Sequence, residues 1–228
     1  MNRLTARMVL AGMAVFLLAG CFTAEPRHKP SPAIQLPGAT LCVMPFIKGR
    51  HALQTGAPLD LTLTCPVSDL CVTQEDFPEG AARVLTRLAW QAAADRWGEA
   101  VTPMHTATDA WAAMDKDPGV DTLLLLARRM GAALNVDYVM AGTVWRFRER
   151  EGYAASASRP ASVAFALYLV DVKQGAGVWA GGFDRTQQPL SENLLNVVGF
   201  FRQGAKWLTA DELAAVGMET VFDTLPAE

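Results

Sequence analysis

The feature that most constrains this fold is a run of strand signals from Tyr138 to Phe183. Tyr138-Val-Met-Ala-Gly-Thr-Val-Trp-Arg-Phe-Arg148 alternates before turning polar, and Ser162-Val-Ala-Phe-Ala-Leu-Tyr-Leu-Val-Asp171 is almost continuously apolar. Segments of this kind, rich in valine and aromatic residues, read as strands. Lys173-Gln-Gly-Ala-Gly177 supplies a turn, and Val178-Trp-Ala-Gly-Gly-Phe183 supplies a return strand. The chain must therefore build a sheet ending in an antiparallel hairpin. Residues 149–161, with Gly152, several alanines and two serines, read as a flexible connector.

Helices are expected on either side of this block. Residues 79–97 place Ala81, Leu85, Leu88 and Ala92 on one face, with Trp90 and Trp97 expected on the other. Glu99–Pro103 reads as a short strand, and Thr106-Ala-Thr-Asp109 as a capping box for a helix through Trp111 and Met114. A further helix over 121–134 turns Leu123, Leu126, Met130 and Ala133 inward and ends at Asn135. Near the C-terminus Ser191 begins a helix with Leu194, Val198, Phe201 and Ala205 in one stripe. Thr209-Ala-Asp-Glu212 is a second capping box, opening a short helix through Val216. Upstream, Thr40-Leu-Cys-Val-Met-Pro-Phe46 suits a buried strand stopped by proline.

The N-terminus is of another kind. Arg3 and Arg7 precede thirteen uncharged, mostly apolar residues, 8–20. As a helix these span only about 20 Å, too short for a ~30 Å hydrocarbon core, so the segment reads as an export signal. Leu18-Ala19-Gly20-Cys21 then resembles the lipobox of bacterial lipoproteins. That resemblance implies cleavage before Cys21, lipidation of Cys21 and, because Phe22 and not Asp follows it, sorting to the outer membrane. The alternative is an ordinary cleaved signal with an incidental cysteine. Pro26, Pro30, Pro32 and Pro37 make residues 21–38 an extended tether reaching roughly 50 Å.

Composition excludes several function classes. The net charge is −3, falling to −5 without Arg3 and Arg7, and no basic run offers a nucleic-acid footprint. Of the remaining cysteines, Cys65 and Cys71 close a tight loop suited to a disulfide in an oxidising compartment. Cys42, inside an apolar run, reads as a buried thiol; a bridge using Cys42, or no bridge, are the alternatives. Cys65 and Cys71 with His51 or His105 lack a usual zinc spacing, so no metal and no cofactor are expected. Gly199-Phe-Phe-Arg-Gln-Gly204-Ala-Lys206 does not meet the phosphate-loop pattern. An enzyme would require His105 or Asp171 beside another titratable group in a cleft. Asp171 has a sufficient role in accepting turn amides. Arg146, Arg148 and Arg150 either face water or hold an acidic partner.

Three segments resemble a family of envelope lipoproteins that includes the curli-secretion channel protein and the activator lipoproteins of penicillin-binding proteins. They are Cys42-Val-Met-Pro45-Phe46, then Ala127 through Val144 with Asp137-Tyr-Val-Met-Ala-Gly142-Thr-Val, then Leu167-Tyr-Leu-Val-Asp171 with Gly175 and Val178-Trp179. The likeness covers about residues 40–190, and the cysteine loop and C-terminal helices depart from it. It implies a non-catalytic domain that binds other envelope proteins. The expected fold class is thus α/β (α+β): a single three-layer-like domain, 39–224, with a central mixed sheet ending in an antiparallel hairpin and flanked by helices. Trp90, Trp97, Phe200 and Trp207 are the candidate partner contacts. The partner is expected to be an envelope protein, with an envelope hydrolase or a subunit of an oligomeric secretion assembly as the alternatives. A pore is not expected, because 149–161 carries four charges where a membrane strand needs ~9–11 alternating residues.

Overall fold

A computed structural model describes residues 38–48, 78–117, 121–153, 156–187 and 207–226. The main sheet runs in the order β1 (Leu41–Val43), β3 (Tyr138–Arg148), β6 (Ser162–Asp171), β7 (Ala176–Thr186), and β2 (Ile47–Lys48) pairs farther along β3. β1 and β2 lie parallel to β3, whereas β3, β6 and β7 are antiparallel. The sheet is therefore mixed and ends in the expected hairpin. Helices α1 (Gly80–Trp97) and α4 (Ala210–Phe222) cover one face, and α2 (Met104–Ala113) and α3 (Leu123–Leu134) cover the other.

The alternation of the strands decides which side chains enter which layer. On β1, Leu41 and Val43 join the α1–α4 core, and Cys42 and Met44 join the α2–α3 core. Along β6, Val163, Phe165, Leu167 and Leu169 face α4, and Ala166, Tyr168 and Val170 face α3. Every residue from Ser162 to Val170 is buried, which is why that strand is apolar on both alternations. Burying one such leucine or phenylalanine contributes about 1.5–3 kcal/mol. At Gly142 a side-chain carbon would lie 2.3 Å from the Phe46 ring, so only glycine lets that ring lie on the strand.

Helix α3 starts and stops as its sequence dictates. The Thr122 hydroxyl accepts from the Leu125 N–H, and Asn135 takes a left-handed conformation at φ 51°. The Val136 N–H then reaches Gly131 O and the Asn135 N–H reaches Ala132 O, a Schellman closure. Leu123, Leu126 and Met130 are buried as expected, but Leu124 and Ala127 replace the exposed Ala133 in the stripe. Helix α4 opens with the expected capping box, Thr209 and Glu212, and continues past Val216 to Phe222.

Other expectations change. Glu99–Pro103 provides only a bridge from Val101 to Leu41 after a 3-10 turn, Gly98–Ala100. Helix α2 begins at Met104 behind Pro103, so Thr106 lies inside its first turn and caps nothing. Residues 149–161 do not form a featureless connector. They make a two-stranded ribbon, β4 (Glu151–Tyr153) against β5 (Ser156–Arg159). Gly152 at φ 101° takes a backbone that L side chains rarely adopt. Ser191, the Cys65–Cys71 pair, Phe200 and the lipobox lie outside the described residues. Among the described residues no helix is long and apolar enough to cross a membrane.

Candidate functional site

Two polar regions occupy the two ends of the sheet. Where Gly38 enters, Gly38, Ala39, Asp137, Tyr138, Asp171 and Lys173 line an open cleft of ≈ 260 Å³. Parallel pairing of β1 with β3 brings Thr40 beside Asp137 across 97 residues of chain. The Thr40 N–H and hydroxyl donate to Asp137 Oδ2 at 3.0 and 3.2 Å, and Lys173 Nζ donates to Oδ1 at 3.0 Å. The Asp137 and Tyr138 amides donate back to Thr40 O at 3.1 and 3.0 Å. The Thr40 amide first, and then Lys173, hold the Asp137 carboxyl below its usual range. Burial, then the Asp171 and Asp137 charges, push the Tyr138 hydroxyl up, and Asp137 pushes the Lys173 ammonium up.

Asp171 does stand beside other titratable groups in a cleft, the arrangement an enzyme would need. One Asp171 oxygen accepts the Gln174 N–H at 2.8 Å, which is the turn role its position implied. His105 is exposed on the first turn of α2, away from these groups. Cys42 is a free, buried thiol whose pKa burial pushes up to about 12, so it is neither bridged nor a nucleophile.

The opposite end of the sheet carries the arginines. A bulge at Trp145 shifts the register, so that Arg146 pairs with Ala164 and Arg148 with Ser162. Trp145 is buried and donates to the Thr143 hydroxyl at 3.0 Å. Arg146 forms an ion pair with Asp184 and donates to the Ser162 hydroxyl. Glu149 is exposed but tied to α4: one oxygen accepts the Ala210 N–H at the start of that helix at 3.0 Å, and the other the Arg150 N–H. Beyond it projects the ribbon, with Glu151 paired to Arg159 at 3.3 Å and Tyr153 83% exposed.

The candidate contact tryptophans do not oppose the buried stripe of α1. That stripe runs through Ala81, Leu85, Ala89 and Ala93, four residues apart, and Trp97 continues it. Both tryptophans are half-buried and packed on the core. Trp90 Nε1 donates to Thr102 O at 2.9 Å. Trp97 meets Phe222 of α4 with 6.2 Å between ring centroids and carries Arg96 over its own ring. Trp207 is half-buried ahead of α4. Sequence reasoning missed Asp137, Lys173 and Tyr153; only the Asp137-Tyr138 segment drew attention, through the family resemblance.

No family model and no curated protein matches the chain. Solved structures do. The PelC dodecamer from Paraburkholderia phytofirmans is 15% identical, matching 83% of this chain and 89% of that chain at a TM-score of 0.45. Lipoprotein GNA1162 from Neisseria meningitidis is 14% identical over 73% and 96% of the two chains, with a TM-score of 0.37. The LpoB C-terminal domain from Salmonella enterica is 15% identical over 66% and 84%, with a TM-score of 0.36.

Proposed function

We propose that the chain is a non-catalytic lipoprotein that binds a protein partner in cell-envelope assembly or secretion. Cys21 carries the lipid, after cleavage following Leu18-Ala19-Gly20, and holds the protein at the periplasmic face of the outer membrane. Residues 21–38 are the tether and 39–224 the working domain, with Cys65 and Cys71 bridged. The observation that carries the non-catalytic reading is the cleft at Asp137. Asp137 is engaged by Thr40 and Lys173, and Asp171 by the Gln174 amide of its own turn. The parts of Trp90, Trp97 and Trp207 still open to solvent, together with Phe200, are the proposed contacts.

The test uses intact cells and the full chain. Incorporation of a labelled fatty acid, lost in Cys21→Ser, is expected. A crosslinked envelope protein, present for the wild type and absent for Cys21→Ser, is expected with it. Unlabelled wild-type protein would overturn the anchor. A monomer with no crosslinked partner would overturn the binding role and favour the hydrolase alternative. A discrete oligomeric mass after detergent extraction would favour the secretion-assembly alternative.

A further inference from the structure

We propose that the β4–β5 ribbon is a docking element of this domain and that it receives an acidic segment of a partner protein. The proposal rests on the protein-binding function above and adds, to the tryptophan contacts named there, a second surface and its chemistry.

The ribbon has little reason to persist on its own account. A two-stranded ribbon without a packed face is marginal in water, and the described residues of β4 are exposed, as are Ser158 and Arg159 on β5. What holds it is polar: Glu151 to Arg159, the Ser158 hydroxyl to Glu151 O, and Arg150 to Gly152 O. Yet it displays Tyr153 at 83% exposure, while Tyr138 is half-buried and Tyr168 buried. A tyrosine offers a large amphipathic contact with only two side-chain torsions to fix, and serine, glycine and arginine are its usual companions on binding surfaces.

Charge selects the partner. Residues 146–159 hold four arginines and two glutamates in a chain whose net charge is −3. Glu149 accepts the Ala210 amide of α4, Glu151 already meets Arg159, and Arg146 meets Asp184, which leaves Arg150 in cationic surplus. Arg150 Nε is buried and meets no acceptor among the described residues. The Arg150 side chain as a whole is half-exposed, and a carboxylate arriving from outside would pair with the guanidinium edge left open. A lipid surface fits less well. Strands of three and four residues, bearing glutamate and arginines, are far short of the ~9–11 alternating residues of a membrane strand. The ribbon also lies at the opposite end of β3 from Gly38.

The experiment places a photocrosslinking residue at position 153 of the full chain in intact cells and maps the captured peptide. The expected result is a protein crosslink within an acidic segment. It should fall about tenfold or more in Arg150→Glu, the scale of losing one charge-assisted bond, and fall in Arg159→Gln. It should persist in Arg128→Glu on α3. Unchanged melting temperatures show that the variants fold. A crosslink to lipid, to a second copy, or to a neutral or basic segment would overturn the proposal, as would one indifferent to Arg150→Glu. No crosslink at 153, with a partner still captured elsewhere on the domain, would overturn the ribbon and leave the binding function standing. Loss of every partner would overturn both.

Discussion

At the end of the sheet where Gly38 enters, Thr40, Asp137 and Lys173 bond one another, and Asp171 closes its own turn. At the other end, roughly 33 Å along the ten steps of β3, Tyr153 stands in solvent and Arg150 Nε has no acceptor among the described residues. Both ends combine tyrosine, acidic and basic side chains. The near end uses them to fix the first strand; the far end ties the root of its ribbon to α4 through Glu149 and Ala210 and holds the ribbon together by Glu151 and Arg159, leaving Tyr153 outside every contact with the core. Polar residues whose partners lie inside the fold serve the fold, and those without such partners are available to another molecule. If this division is right, substitutions should cost stability at the near end and at the ribbon's root, and cost binding at its tip.

The largest effect is expected at Gly131, beneath the near-end turn. A side-chain carbon there would sit 2.3 Å from Val172 Cγ2 and 3.0 Å from Val139 Cγ2. Gly131→Ala should destabilise by about 1–3 kcal/mol, overpacking outweighing the better helix propensity of alanine. Thermal unfolding checks this, and an unchanged melting temperature would show that α3 is looser on the sheet than described. Next is Thr209→Ala, at the ribbon's root. Removing the acceptor for the Glu212 N–H should cost about 1 kcal/mol, and a loss well below that would detach the root from the folded core.

Asp137→Asn should have a smaller effect, confined by pH. The folded carboxyl titrates below its ordinary 3.8, so its contribution is complete above that value and is lost as pH falls through the lower folded pKa. Lys173 is raised above 10.5, so its share is present below that value and lost as pH rises through the higher folded pKa. Melting temperatures of Asp137→Asn should therefore lie below wild type at neutral pH and converge with it in strong acid. Parallel curves across the acid range would show that Asp137 does not hold the first strand by its charge.

What the sequence made legible follows from the range of the interactions. β3, β6 and the turn between β6 and β7 are local patterns, as are the Asn135 stop and the Thr209–Glu212 box. All appear where alternation or capping chemistry places them. Helix α1 was less legible, because Ala81, Ala82, Ala89, Ala92 and Ala93 make neighbouring stripes nearly equal in hydrophobicity. The choice between them fell to Trp97 meeting Phe222 on a helix 125 positions away. The ribbon gave no periodic signal, since a strand pair with neither face in a core has no apolar alternation to display. The Thr40–Asp137 bonds join residues 97 apart and were visible only once β1 lay beside β3.

The smallest expected change in stability is the one that most sharpens the comparison. Tyr153→Ala removes a large side chain that is 83% exposed and touches no core cluster. Surface substitutions of this kind stay within about 0.5 kcal/mol, so the melting temperature should not move measurably. Partner capture through a crosslinker placed elsewhere on the domain should nevertheless fall. Stability lost without binding lost would make the ribbon part of the fold and erase the distinction between the two ends. Binding lost at constant stability would mean that the sheet is closed by its own residues at the end where Gly38 enters and completed by another protein's residues at the far end.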